Sequence, residues 1–204
     1  MHNPGRRIAL LGWGSLLWDE RPDFDEYHEP WQLDGPELPL EFSRVSSSRK
    51  GALTLVVDNV NGALCRCAYA LSKRGDPVDA IADLRSREAT VMRHMGIYFR
   101  DGTREGEPEV PATIPPWANR LGIDVVIWTG LPSNFEEVVG SPFSVENAVR
   151  HLKELPAETM TGAAKYICLA PALVDTPLRR ALQAEWWFVN QSTAETPGAP
   201  VQSE

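Results

Sequence analysis

Cysteine, paired histidine, long apolar runs and positive charge are all scarce in this 204-residue chain. Cys65, Cys67 and Cys168 are an odd count, which does not describe a disulfide framework. His2, His28, His94 and His151 form no tight ligand pair, so no metal site is expected. Cys65 and Cys67 fall in a strand pattern and are expected to be buried structural thiols. No stretch approaches the roughly 18 apolar residues that span a bilayer, and only a short apolar run follows Met1 to Arg7. A formal charge of -8 with no basic run argues against nucleic acid or an anionic membrane as the main partner. The expectation is a soluble cytoplasmic protein.

Three glycine-loop signatures are missing as well. A dinucleotide fingerprint needs a third glycine and a phosphate loop needs Gly-Lys-Ser/Thr, but Gly14 is followed by Ser15-Leu16-Leu17-Trp18. A nucleophile elbow needs glycines two residues either side of its serine, where this chain has Trp13 and Leu17. Ser15 therefore reads as a ligand contact rather than a nucleophile.

What is present suffices for one domain. Hydrophobic residues make up 43% of the chain, enough for one sizeable core, so residues 1–190 read as a single unit. From Asn190 the chain turns to Ser, Thr, Pro, Gly and Ala without periodicity, which predicts a flexible tail over 191–204.

The chain is organised around Leu10-Leu11-Gly12-Trp13-Gly14-Ser15-Leu16-Leu17-Trp18. Arg7 to Leu11 reads as a short strand, and Gly12 and Gly14 then allow a sharp turn with consecutive N–H groups exposed. Unpaired amides beside a hydroxyl side chain make a seat for a carboxylate. The alternative is a plain tight turn whose Trp and Leu side chains pack in the core.

Beyond this loop, Glu20 to Pro39 reads as an irregular excursion in which Tyr27 and Trp31 pin the loop or cover a pocket. Leu40 to Val45, Leu53 to Val57 and Ala63 to Leu71 read as strands, with a turn over 46–51 and a hairpin signal at Asn59-Val60-Asn61-Gly62. An antiparallel meander is expected. Ile97 to Phe99 and Asp124 to Thr129 add strands, and 102–116 reads as a Pro-rich loop. Three helices are expected after that, capped by Ser144, following Pro156, and starting at Thr176-Pro177 through about Val189. Trp186 and Trp187 read as packing residues.

Asp76 caps a helix with Pro77 at its first position, expected from Val78 to about Met95. At 100° per residue, Ile81, Leu84, Glu88, Met92 and Met95 share a stripe with Glu88 near its centre. A carboxylate among apolar neighbours must be hydrogen-bonded, paired, or raised in pKa. Glu88 is thus either a general base, a partner of Arg85 in an ion pair, or a residue moved to the rim by an early helix end.

Gly12-Trp13-Gly14-Ser15-Leu16-Leu17-Trp18 resembles the Gly-Tyr-Gly-Ser-Leu-x-Trp loop of the gamma-glutamylcyclotransferase-like superfamily, in its bacterial, glutathione-degrading form. Trp13 stands where the family usually has Tyr, keeping an aromatic wall without the phenol hydroxyl. Phe42-Ser43-Arg44, Thr54 to Asp58 and Cys67 to Leu71 fall where the glutathione-specific branch has similar strands. The family's catalytic glutamate follows a helical Leu by four residues, as Glu88 follows Leu84. The resemblance covers roughly residues 7 to 100 and leaves the C-terminal helices unmatched.

It implies an α+β domain whose mainly antiparallel sheet is partly closed as a small barrel and flanked by helices. It also implies cyclotransfer of a small gamma-glutamyl substrate to 5-oxoproline and a free amine, with no cofactor or metal. Glu88 would be the base, and Gly12, Trp13, Gly14, Ser15 and Leu16 would bind substrate. Arg44 would contact a substrate carboxylate, or else pair with Glu41 or Asp58. Two alternatives stand beside this: a non-catalytic binding or regulatory protein, and an enzyme removing a gamma-glutamyl group from a larger biosynthetic intermediate. Oligomeric state is left open.

Overall fold

The computed structural model describes residues 5–185 and 187–189. In chain order the elements are β1 (Ile8–Gly12), α1 (Pro22–Asp25), β2 (Glu37–Val45), β3 (Leu53–Val57), β4 (Ala63–Arg66), β5 (Ala68–Leu71) and α2 (Pro77–Arg87). There follow β6 (Met95–Phe99), β7 (Arg104–Glu105), α3 (Ile114–Leu121), β8 (Val125–Thr129), α4 (Phe135–Val139), α5 (Val145–Glu154), α6 (Ala157–Leu169) and α7 (Pro177–Leu182).

β1 and β8 lie side by side and parallel, with Ile8 opposite Val125 and Leu10 opposite Ile127. Parallel strands are covered on both faces, which is why both read as unbroken apolar runs. Ile8, Leu10, Val125 and Ile127 face one core with Ile81 and Leu84 of α2. Ala9, Leu11, Val126 and Trp128 face a second core, shared with β2, β3 and the C-terminal helices. The full order is β5-β1-β8-β6-β7, beside a three-stranded sheet β3-β2-β4. The fold is α+β with one mixed and one antiparallel sheet, and no barrel closes among the described residues.

The expected meander is replaced by a crossing. β3 and β4 both run antiparallel to β2 but on opposite edges of it, so Asn59 to Gly62 carries the chain across β2 instead of reversing it. Asp58 shapes this segment, accepting from the amides of Val60 (3.0 Å) and Asn61 (2.9 Å). Gly62 is required by close approach, since a Cβ there would stand 2.5 Å from the Pro39 carbonyl carbon. Ala63 to Leu71 is two strands rather than one. They part at Cys67, whose N–H and C=O are taken by Pro36 and Gly35, so β4 joins one sheet and β5 the other.

Three helical boundaries also differ. α2 starts as expected, with the Asp76 carboxylate accepting from the Val78 amide at 2.9 Å, but stops at Arg87, and Met95 belongs to β6. α3 lies partly inside the expected loop, because Pro115 and Pro116 occupy the first helical turn, where a missing N–H breaks no bond. α7 ends at Leu182, where the amides of Ala184 and Glu185 switch to acceptors three residues back. The Glu20 to Pro39 excursion holds α1 and the start of β2. Tyr27 is pinned under the Arg74 guanidinium at 3.5 Å, and Trp31 packs beside His28 at 5.1 Å. Trp187 is buried against Phe188, while Trp186 and the 191–204 tail lie outside the described residues.

Cys65 and Cys67 are buried reduced thiols, and burial pushes both above the usual thiol range. No helix among the described residues is long and apolar enough to cross a membrane.

Candidate functional site

β1 delivers its carboxyl end to a loop whose amides are left over. Among the described residues, the backbone N–H groups of Trp13, Gly14, Ser15 and Leu16 find no backbone acceptor. The chain then makes a 3-10 turn over Ser15–Leu17, closed by Leu17 N–H to Gly14 C=O at 3.0 Å. The two glycines serve close approach rather than unusual dihedrals. A Cβ on Gly12 would lie 2.8 Å from the Trp31 ring, and one on Gly14 would lie 3.0 Å from the Tyr166 hydroxyl. Trp13 is buried, and its indole N–H donates to Leu55 C=O at 3.4 Å.

Glu88 arrives from the other side as the C-cap of α2, next after Arg87. Its amide still bonds Leu84 C=O at 3.0 Å, and Ala89 then takes a left-handed conformation at φ 46°. The Ala89 amide bonds Ser86 C=O and the Thr90 amide bonds Arg85 C=O, the paired pattern that ends a helix. Glycine usually occupies this position; alanine disguised the stop in the sequence. The helix end moves Glu88 from the middle of an apolar stripe to the rim of the core, with its side chain 22% exposed.

The ion pair is made by Arg87 and not Arg85, which is exposed. Arg87, only 6% exposed, reaches Glu88 Oε1 with Nη1 at 3.5 Å. Its Nη2 donates to the carbonyls of Ser15 (3.3 Å) and Asp19 (2.9 Å). One guanidinium therefore ties the loop to the carboxylate. Across the trans peptide, holding Ser15 C=O turns the Leu16 N–H away from Arg87. Burial pushes the Glu88 carboxyl above the usual carboxylate range, against the pull of Arg87, Arg21 and Arg49, while Asp19 adds to the rise.

Trp13, Gly14, Ser15, Leu16 and Glu88 line one small cavity of about 60 Å3, together with Leu55, Val56, Thr129, Leu131 and Tyr166. Gly12 lies behind it, filled in by Trp31 and Leu17. Arg44 is elsewhere. Its Nη1 donates to Pro132 C=O at 2.7 Å, pairing with neither Glu41 nor Asp58, and it borders a wider cleft of about 580 Å3. Glu88 and Leu131 belong to both spaces, so the carboxylate stands where cavity and cleft adjoin.

Thr129 and Tyr166 were missed by sequence reasoning. Thr129 ends β8, and its place follows from the parallel β1–β8 pairing, since ligands gather beyond the carboxyl ends of parallel strands. Tyr166 lies on the buried face of α6, where a phenol among Ala163, Ala164 and Ile167 was the one available signal. Among the described residues no group of three or more His, Cys, Asp or Glu is arranged to hold a metal.

Comparison with family models, curated proteins and solved structures returned no match.

Proposed function

We propose that this cavity carries out gamma-glutamyl cyclotransfer, releasing 5-oxoproline and a free amine. One observation supports the reading above all: four consecutive residues whose amides have no backbone acceptor among the described residues, and a glutamate of raised pKa, line the same cavity. In this reading the amides of Trp13 to Leu16 hold the substrate's α-carboxylate, as oriented N–H dipoles do. The α-amino group already shares a chain with its target carbonyl, so selecting the folded conformer supplies most of the proximity.

Glu88 takes a proton from the α-ammonium group, the freed nitrogen attacks the γ-carbonyl carbon, and the amide C–N bond breaks. The attacking nitrogen sheds a second proton as it becomes the lactam N–H, and Glu88 relays both protons to the departing nitrogen, which leaves as an ammonium. The leaving amine occupies the cleft bounded by Arg44, Ser46 and Arg93. On this reading the two sheets joined at Cys67 are the walls of the small barrel of the gamma-glutamylcyclotransferase-like fold. The enzyme is cytoplasmic and uses its own side chains and amides throughout.

The test is mass-spectrometric detection of 5-oxoproline after incubation with glutathione, several gamma-glutamyl amino acids and gamma-glutamyl amines, beside Glu88→Gln. Product that disappears in the variant supports the reading. A full panel returned intact by the wild-type protein overturns it.

A further inference from the structure

Glu88 and Tyr166 are the ionisable residues of the cavity, and the mechanism above uses only the first. Tyr166 is 7% exposed and its ring is held on several sides. Trp18 meets it edge-on at 5.6 Å, Phe42 at 6.2 Å, and the Arg49 guanidinium stands 4.5 Å over its centre. The hydroxyl is aimed at the bare backbone of Gly14, 3.0 Å from where a side chain would begin. It therefore sits beside the run of unaccepted amides, at the end of a ring that cannot swing away.

The Leu55 backbone draws the pKa of this phenol down. A neutral phenol carries one proton that it can donate. The groups that face it are Arg49, over the ring, and Glu88, across the cavity. Burial outweighs the pull of the Leu55 backbone and the Arg49 charge, and together with Glu88 it lifts the phenol above its ordinary range. At neutral pH Tyr166 is an uncharged donor.

We propose that Tyr166 is a second catalytic residue of the cyclotransfer read above, on which this inference rests: its phenol O–H donates to the substrate's γ-carbonyl oxygen. As the α-nitrogen bonds to the carbonyl carbon, the C=O electron pair moves onto that oxygen. The hydrogen bond strengthens while the charge is present and relaxes when the C–N bond to the leaving amine breaks and the carbonyl re-forms. No proton is consumed at Tyr166, and the two shed by the α-nitrogen leave with the amine by way of Glu88. A neutral donor suits a charge that exists only in the transition state. The amides of Trp13 to Leu16 are then committed to the α-carboxylate.

Tyr166→Phe keeps the ring and its contacts and removes only the hydroxyl. With the best substrate of the panel, kcat should fall about 10²-fold, the usual cost of one such donor, while KM stays within about twofold. A raised KM at unchanged kcat would overturn the assignment, because it would place the phenol on the α-carboxylate. Unchanged kcat and KM would overturn it as well, leaving Tyr166 a packing residue.

Incorporation of 3-fluorotyrosine at position 166, which acidifies the phenol without removing it, decides the matter even if Tyr166→Phe folds poorly. The alkaline limb of kcat should move to lower pH, and a limb that stays in place overturns the proposal. Wild-type protein that forms no 5-oxoproline overturns the cyclotransfer reading itself. An active wild type with an equally active Tyr166→Phe overturns only the role of Tyr166.

Discussion

Glu41, fully buried, and Glu88, partly exposed, show what separates a structural acid from the one we propose as the base. Burial pushes both above the usual carboxylate range. Glu41 has no exposed surface, and its oxygens are occupied: Oε1 accepts from the Phe42 amide at 2.8 Å and Oε2 from the Leu178 amide at 3.2 Å. It joins the middle of β2 to the first turn of α7. Glu88 has one long contact with Arg87 and an open cavity before it. Desolvation alone does not mark a base; unused lone pairs facing a cavity do.

The largest effect that would test this contrast is on turnover. Glu88→Gln should lower kcat on the order of 10³-fold, while Glu41→Leu leaves it near wild type. Comparable losses from both would erase the distinction.

Stability should run the other way. Glu41→Leu strands the amides of Phe42 and Leu178 and should cost about 2 kcal/mol, read from the urea midpoint. Glu88→Gln should be more stable than wild type at neutral pH. A carboxyl whose pKa is higher folded than unfolded favours the folded state while protonated. That advantage is lost as pH rises from the unfolded pKa through the folded one. The gain from Gln should therefore vanish near pH 3, well below the unfolded glutamate pKa, where both side chains are neutral, and thermal melts at the two pH values check the sign. The same shift places the acid limb of kcat/KM above the ordinary glutamate range.

A smaller effect concerns the cleft. Glu88 is its one acidic residue, against Arg44 and Arg93, in a chain of net charge -8. Arg44→Gln should raise KM about threefold for leaving amines that carry a carboxylate and leave neutral amines unaffected. Smallest is Ala89→Gly, which relieves the left-handed alanine after Glu88 and should add up to about 1 kcal/mol in denaturant titration.

Local chemistry was legible in the sequence and its spatial partners were not. β3 and the starts of α5 and α6 fall where expected because a continuous apolar run, the Ser144 cap and Pro156 mark them, as when Ser144 accepts from the Asn147 amide at 3.1 Å. The loop and Glu88 were found from residue type and spacing, and the fold brings them together. The crossing over β2 was hidden because an Asn-Gly turn signal does not say on which edge the next strand pairs. The partner of Arg44 was hidden because a strand position does not reveal the Pro132 carbonyl that captures it. Tyr166 reaches Gly14 across about 150 residues of sequence, a distance over which no periodicity carries information.

The parallel pairing of β1 with β8 also dictates an order of events during synthesis. β5, the antiparallel neighbour of β1, emerges within 71 residues, but β8 on the other side is complete only at Thr129. Until then the nascent chain presents the edge of an apolar strand without its partner, a surface prone to mispairing. Refolding of the intact chain should accordingly be governed by the β1–β8 closure. Amide protection on β1 should rise together with that on β8 rather than with β5, as pulse-labelled hydrogen exchange would record.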